Sequence, residues 1–312
     1  GINSGTSTIF TVLTVLDGSI LEQKEVTGLT VNRIRNHIST ADGKYLFAGT
    51  GSSVGKFGCG EILTGVNPIL WISQYETSAL DIVNIDAGPT YGYAVCGTSA
   101  SDGFVLKVTA TVSGSVWTVT KSWANKVSMT QFRGITSTHF SETDRALYVV
   151  GMSMTGGAPE MGMGEGIITS YTNSGTLAWQ NVFGHMMDES FTSVVMDITG
   201  RNIIAAGWSE SHTVARDSII FRCEIGGFGT GVYHLNGNAG MRYYYLASTI
   251  TNVSLATNIT TLSLPSFSTA SVVNSGASIL FDISGATVDT FDGSYGANGN
   301  FMMFIGTFDL LK

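Results

Sequence analysis

The sequence predicts an all-β fold, a β-propeller of four-stranded blades, and three observations support this prediction. Runs rich in Val, Ile, Thr, Tyr and Phe recur roughly every 8 to 12 residues between clusters of Gly, Ser, Asn and Asp, which is typical of β-hairpins. No stretch has a convincing helical spacing of apolar residues. An internal repeat of about 50 residues groups the strands, and this period with about four strands per repeat indicates propeller blades.

The first marker of the repeat is an apolar strand that ends in a small residue followed by glycine. Its copies occupy residues 45–50, 93–98, 147–152 and 203–208, and their shared glycines are Gly49, Gly97, Gly151 and Gly207. A glycine in a strand permits a bulge or the close approach of another backbone segment. In the clearest copy, residues 131–184, this strand is the second of four.

The second marker is a tight turn between the third and fourth strands of a repeat. Ser-Gly and Asp-Gly steps supply a positive φ at little steric cost, as such hairpins require. The strand that follows often carries an aromatic residue, as at Trp71, Trp117 and Trp179. The predicted turns lie at Gly18, Gly65, Gly114, Gly175, Gly227 and Gly285. These turns predict six blades, with seven as the alternative.

Ring closure is expected to join the two ends of the chain. Residues 8–13 and 20–21 look like the third and fourth strands of a blade that lacks its first two, and residues 301–308 look like a strand without a successor. Because unpaired sheet edges are a liability, we expect these segments to share one blade. The predicted organisation is a single propeller domain over residues 1–312.

The blade pattern resembles a bacterial β-propeller repeat family, whose consensus runs through an apolar strand, Gly-Thr, Phe-Val-Lys, Ser-Gly, Trp and Phe-Gly. The residues that match it are Cys96-Gly97-Thr98, Gly103-Phe104-Val105-Leu106-Lys107-Val108, Ser113-Gly114, Trp117, Trp179 and Phe183-Gly184. The likeness covers roughly residues 30 to 240. It implies a propeller fold, and the family brings no catalytic residues to carry over.

The charge and composition of the chain argue against a nucleic-acid partner and favour an extracellular, cell-surface or virion location. The net charge is −8, with 15 Lys and Arg against 23 Asp and Glu, so a nucleic-acid-binding surface is not expected. Charged residues make up only 12% of the chain, and Ser, Thr, Asn and Gly replace them. A surface rich in uncharged polar residues is common among extracellular, cell-surface and virion proteins. No apolar run is long enough to predict insertion into a membrane.

No motif predicts catalysis, a cofactor or a metal site. The five histidines are dispersed, and the three cysteines are too few for a disulfide framework, with Cys96 expected in the core. The Met-x-Met pairs Met152/Met154 and Met161/Met163, with Met186 and Met187 nearby in sequence, would suit Cu(I), but core and loop packing is the favoured interpretation. A glycosidase needs two converging carboxylates. The acidic residues in or beside loops are Glu160, Glu165, Asp188, Glu189, Glu210 and Asp217, and nothing marks two of them as partners.

The leading functional prediction is therefore a non-enzymatic structural or interaction propeller whose partners are other protein subunits or domains. The predicted contact is the long loop that carries Met154, Pro159, Met161 and Met163, because flexible thioethers suit an adaptable protein contact. The alternatives are a lectin-like propeller that binds glycans on its tryptophans, and a polysaccharide hydrolase or lyase with its site in the channel. Asn252 and Asn258 begin two glycosylation sequons, so the chain is a possible glycoprotein.

Overall fold

The fold is described from a computed structural model, which covers residues 2–4, 7–13, 20–37, 43–61, 68–86, 90–138, 146–155, 164–211, 216–227, 230–235, 238–265, 267–269, 289–290 and 302–306. These residues form β-strands and their connections, and no helix occurs among them. The predicted all-β class is confirmed. Within these ranges no helix of the length and hydropathy needed to cross a membrane is found.

The chain divides into two compact units. Unit 1 holds Gly1–Ala100, Val105–Ala124 and Leu255–Ala277, and unit 2 holds Ser101–Phe104, Asn125–Ser254 and Ser278–Lys312. Four sheets have the antiparallel strand order of propeller blades, two associated with each unit, which is a β-propeller arrangement of four blades. The blade counts of six and seven are not supported. The single domain over residues 1–312 stays a prediction.

Unit 1 contains an N-terminal sheet and the first two blades. The N-terminal sheet is formed by β1 (Ile2–Ser4), β2 (Ser7–Leu13) and β3 (Ile20–Thr27). Blade 1 is β4 (Thr30–Asn36), β5 (Lys44–Gly51), β6 (Val54–Glu61) and β7 (Ile69–Gln74). Blade 2 is β8 (Ser78–Asp86), β9 (Thr90–Ser99), β10 (Asp102–Ser113) and β11 (Val116–Val127). The first residues of β10 and the last of β11 fall in unit 2.

Unit 2 contains the other two blades. Blade 3 is β12 (Thr130–Ser137), β13 (Ala146–Ser153), β14 (Glu165–Thr172) and β15 (Leu177–Gly184). Blade 4 begins with β16 (Glu189–Met196), β17 (Asn202–Ser209) and β18 (Asp217–Glu224). The hairpin of β19 (Gly231–Leu235) and β20 (Asn238–Ala247) extends blade 3, where β20 pairs with β15. The last strands in the described ranges are β24 (Asp289–Thr290) and β25 (Met302–Gly306).

The C-terminal strand completes blade 4, and the predicted closure is not found. Strand β25 pairs with β18 as the fourth strand of blade 4. Strand β2, which contains residues 8–13, pairs only with β1 and β3 in the described part of the chain. The predicted pairing of residues 8–13 with residues 301–308 is therefore not found among the described strands. Strand β25 is instead the fourth strand of blade 4, a position that the sequence pattern had assigned to the segment after Gly227.

A segment between blade 4 and the C terminus adds outer strands to three other sheets. It consists of β21 (Asn252–Ser254), β22 (Thr260–Thr261) and β23 (Phe267–Thr269). In unit 2, β21 pairs with the end of β11; in unit 1, β22 pairs with β7 and β23 with β3. We call residues 248–269 the outer segment. It covers sheet edges that would otherwise expose unpaired backbone groups.

The repeat glycines face a bulge in the neighbouring strand. In each blade the register of the first strand shifts by one residue opposite or beside the glycine: Val31/Arg33, Ala79/Asp81, Phe132/Gly134 and Phe191/Ser193. A Cβ at Gly49, Gly151 or Gly207 would overlap the carbonyl oxygen of Thr30, Gln131 or Ser190. The predicted bulge is confirmed, and the close backbone approach explains why glycine recurs.

The predicted hairpin turns are confirmed where the third and fourth strands follow each other directly. Gly114 and Gly175, with φ of 62° and 86°, lie between β10 and β11 and between β14 and β15. Gly227 also has a positive φ, but β19 after it pairs with β20 and not with β18. Gly18, Gly65 and Gly285 lie outside the described residues.

Consecutive blades within a unit pack face to face. Strand β8 packs across β4, β5 and β6 in unit 1, and β16 packs across β12, β13 and β14 in unit 2. In unit 2 the contact is aromatic, because the ring of Phe183 in blade 3 lies 5.0 Å from Phe221 and 5.8 Å from Phe191 in blade 4. In unit 1 it includes an ion pair, because Arg35 Nε donates to the fully buried Asp81 at 2.7 Å.

Candidate functional site

Strand ends of blades 3 and 4 lie at one edge of unit 2. We call it the entry edge, because the first strand of each blade, β12 or β16, begins there. In blade 3, Thr130 lies opposite Ser153, which lies opposite Glu165. In blade 4, Ser209 lies between Glu189 and Asp217 in the same way. The amide of Glu189 donates to the Gly164 carbonyl at 2.7 Å. This hydrogen bond joins the two blades at the edge.

Methionines form the exposed part of the entry edge. Met129, Met186 and Met187 are 41%, 70% and 53% exposed, and Met152 and Met154 are partly buried. The Met154 amide donates to the Met129 carbonyl at 2.7 Å. The thioether end of Met152 reaches Gly164, whose amide donates to the Asp188 carboxylate at 3.0 Å. We call these five methionines the methionine surface.

Of the predicted contact residues, the structure places one. Met154 belongs to the methionine surface, whereas Pro159, Met161 and Met163 lie outside the described residues. Sequence reasoning noted Met152, Met186 and Met187 as neighbours in the chain but missed Met129. Met129 has a φ of 50°, a rare conformation for a methionine, so it occupies a turn that the sequence does not mark.

Acidic residues lie beneath the methionine surface. Glu165, Glu189 and Asp217 are fully buried, and Asp188 and Glu210 are partly buried. Asp188 and Glu210 are joined through backbone, since the Glu210 amide donates to the Asp188 carbonyl at 2.9 Å. The fold thus gathers five of the six acidic candidates at one edge, and Glu160 lies outside the described residues.

The Glu189 carboxylate is the centre of a buried hydrogen-bond network. Its Oε1 accepts from the hydroxyls of Ser209, at 2.8 Å, and Ser211. Its Oε2 accepts from the His185 amide at 2.9 Å. Ser211 in turn accepts from the Met187 amide at 2.9 Å. The network therefore holds both ends of the loop that displays Met186 and Met187.

Burial sets the protonation of this network. The pKa of Glu189 is raised to about 7, chiefly by burial and to a smaller extent by nearby Asp188, while the hydrogen bonds from Ser211, His185 and Ser209 oppose the rise. Burial also lowers the pKa of His185. Because the side chains of Glu165, Glu189 and Asp217 are closed off from solvent, they offer a substrate no pair of carboxylates.

Charged groups form a rim beside the methionine surface. The Arg216 guanidinium lies 4.1 Å from the centre of the Trp208 ring, and its Nε donates to Glu210 at 2.8 Å. Burial, with a smaller effect of Arg216, lowers the pKa of Arg133, whose guanidinium donates to Gln131 at 3.0 Å. The rim is therefore of mixed charge.

The repeated tryptophans pack inside the units. Trp71 is 2% exposed and lies 5.4 Å from the ring of Tyr93 in the next blade. Trp179 donates from Nε1 to the Ile225 carbonyl at 3.0 Å, and its ring lies against Gly227. Trp117 is partly buried, 5.6 Å from Tyr91. Trp71 and Trp179 thus join neighbouring sheets, whereas the contact of Trp117 lies within blade 2. The three rings do not form an open shelf for sugars.

An open pocket lies at the corresponding place in unit 1. It has a volume of about 450 Å³ and is lined by Gly28, Thr30, Thr50, Gly51, Ser52, Ser53, Thr77 and Ser78. The strand registers make Thr50 the counterpart of Met152, since each follows a repeat glycine. Gly28, with a φ of 76°, is the counterpart of Met129. The groove between blades is therefore lined by methionines in unit 2 and by small hydroxyl residues in unit 1.

The sequon asparagines, His37 and the three cysteines lie outside the methionine surface. Asn252 lies on β21 and is partly buried beside Tyr171, whereas Asn258 is exposed. His37 is buried, with Nε2 2.7 Å from the Tyr93 hydroxyl. Cys59, Cys96 and Cys223 are free and buried, so Cys96 is a core residue as predicted. In the described ranges no three His, Cys, Asp or Glu residues are grouped as a metal site would need.

Neither a protein-family model nor a curated protein matches this chain. The resemblance to the bacterial β-propeller repeat family therefore stays a prediction.

Proposed function

We propose that the chain is a non-enzymatic interaction module that contacts another protein subunit or domain through its methionine surface. The observation that carries the proposal is that Met129, Met186 and Met187 are exposed and lie, with the partly buried Met152 and Met154, in turns and strand ends at the entry edge. Methionine side chains adapt their shape to a partner and are common at protein-binding surfaces.

The buried network beneath the surface supports the same proposal. Glu189 holds the loop of Met186 and Met187 through His185 and Ser211. A loop that is fixed in the free protein loses little conformational entropy on binding. The carboxylates thus act as structural support, whereas a polysaccharide hydrolase would need them to face its substrate.

The expected partner is a protein with an apolar contact face. Exposed apolar groups gain free energy when they leave water, roughly 25 cal/mol per Å². The surrounding rim of Arg216 and Glu210 adds polar contacts of both signs. An extracellular, cell-surface or virion setting agrees with the low content of charged residues.

The proposal predicts that replacing Met186 and Met187 together by Ser weakens assembly. We expect the affinity for the native partner to fall at least about tenfold, the equivalent of 1.4 kcal/mol. Isothermal titration with the partner purified from the native assembly measures the change. The matched control is Ile198→Ser, which changes a fully exposed apolar residue elsewhere in unit 2.

Oxidation footprinting provides an independent test. Peroxide converts accessible methionine to the sulfoxide. Met129, Met186 and Met187 should be oxidised rapidly in the isolated chain and slowly in the native assembly. Equal rates in both samples, or an equal loss of affinity in Ile198→Ser, would contradict the proposal.

A further inference from the structure

The pocket of unit 1 has a lining that is unusual for a gap between packed blades. Six of its eight lining residues, Thr30, Thr50, Ser52, Ser53, Thr77 and Ser78, carry hydroxyl groups, and the other two are glycines. At the corresponding positions of unit 2, Met129, Met152 and Met154 supply long side chains. The groove is thus an open pocket lined by short side chains in unit 1, whereas unit 2 has long side chains at the corresponding positions.

The lining defines the chemistry of a suitable ligand. A hydroxyl group both donates and accepts hydrogen bonds, so a wall of hydroxyls matches a ligand that is itself rich in hydroxyls. The methyl groups of Thr30, Thr50 and Thr77 provide apolar contact for C–H groups. No carboxylate and no aromatic side chain lines the pocket, so neither a cation nor a flat aromatic ligand is favoured.

One charged group lies close to the wall. Lys56 Nζ donates to the Gly28 carbonyl at 2.7 Å and lies against Gly51. This bond directs the ammonium into the wall, where it fixes the tight turn at Gly28. The hydroxyl groups, and not the ammonium, therefore dominate the surface that a ligand meets.

We propose that this pocket binds one sugar unit of a neutral glycan. Its volume of about 450 Å³ lies within the range of roughly 300–1,000 Å³ for small-molecule sites. The pocket is open on one side, so a sugar inside it can continue into a longer chain. The site is separate from the methionine surface and does not depend on the proposed protein contact.

The first test is an NMR titration of the purified chain with glucose, galactose, mannose and N-acetylglucosamine. We expect at least one sugar to shift the amide signals of Gly51, Ser53 and Ser78, and sodium sulfate to leave them unchanged. Thr50→Val removes one hydroxyl at nearly constant shape and should weaken sugar binding about tenfold. Thr118→Val, on an exposed part of β11, is the matched control.

A second variant is designed to fill the pocket without straining the fold. Thr50→Met copies the residue that unit 2 has at the corresponding position, so the fold should tolerate it while sugar binding is lost. Three outcomes overturn the proposal: no sugar shifts the pocket amides; Thr50→Val binds as tightly as Thr118→Val; or sulfate binds and Lys56→Met abolishes it. The last result would assign the pocket to anions.

Discussion

At the scale of single residues, Glu189 shows how a buried carboxylate supports an exposed loop. It is fully buried, yet it accepts three hydrogen bonds and lies near Asp188. Burial is the largest effect and raises its pKa to about 7 from an ordinary value of 4.5. The folded state therefore binds a proton that the unfolded state releases between these two pH values.

The sign of this difference predicts a loss of stability as pH rises. The contribution of Glu189 is present below pH 4.5 and is lost as pH rises through about 7, which amounts to about 3 kcal/mol. Glu189→Gln should remove this part of the pH dependence. Urea unfolding of both proteins from pH 4 to 8 measures it, and parallel curves would refute the prediction.

Two further residues, His185 and Ser211, provide checks on the role of Glu189 in this pH dependence. Burial lowers the pKa of His185, which raises stability as pH increases, but this contribution is common to both proteins and cancels in their difference. Ser211→Ala removes a hydrogen bond that lowers the pKa of Glu189, so it should move the upper end of the pH window higher.

At the scale of elements, the repeat glycine and the bulge opposite it form one structural device. The first strand of every blade carries the bulge, and the second strand carries the glycine. The bulge sharpens the local twist and re-aims the side chains that follow it. In unit 1 those side chains include Arg33 and Asp81, which form part of the ion-pair contact between blades.

We predict that Gly207→Ala destabilises the protein by about 3 kcal/mol, the upper end of overpacking costs. The new Cβ would overlap the backbone carbonyl of Ser190, which cannot rotate away. Gly114→Ala is the matched change, because Gly114 has a positive φ but open space around it. It should cost only about 1 kcal/mol. Guanidinium unfolding compares the two, and an equal loss would show that the close approach is unimportant.

At the scale of the molecule, the outer segment secures sheet edges by short pairings. In unit 1, Lys121 Nζ donates to the carbonyls of Leu255, Ala256 and Thr257 at 3.1, 2.9 and 2.6 Å. The Leu262 amide donates to the Ile72 carbonyl at 3.0 Å. Because β22 has only two residues, the lysine is an important anchor.

Lys121→Met should therefore loosen the segment locally. Hydrogen bonds to a charged group contribute about 1.5–3 kcal/mol. We expect amide hydrogen exchange at Leu255 and Leu262 to accelerate at least about tenfold, with little change in core amides such as Phe47. Lys44→Met, which removes the partly exposed ion pair with Glu61 in blade 1, is the control. Unchanged exchange at both amides in Lys121→Met would contradict this role.

The candidate site could be predicted only in part. The sequence pointed to methionines near residues 152–163, and Met152 and Met154 do lie at the entry edge. Met129 was missed because it is distant in sequence from Met154, and folding brings its carbonyl to the Met154 amide through turns beside β12 and β13. The buried role of Glu189 was also hidden, since neither its burial nor its bonds to Ser209 and Ser211 follow from local sequence.

Local patterns in the sequence were sufficient to predict the β class, the strands of the blades, the bulge glycines and the turns at Gly114 and Gly175. The β class, the strands and the turns depend on side-chain alternation and on the positive φ that glycine adopts easily. The bulge glycines depend on the absence of a Cβ where the neighbouring strand of the same repeat comes close. The number of four blades, the completion of blade 4 by β25 and the path of the outer segment depend on pairings between strands that are distant in sequence. The strands of the outer segment have two or three residues, which is too few for a periodic pattern. Their pairing therefore depends on which edges of sheets distant in sequence are free.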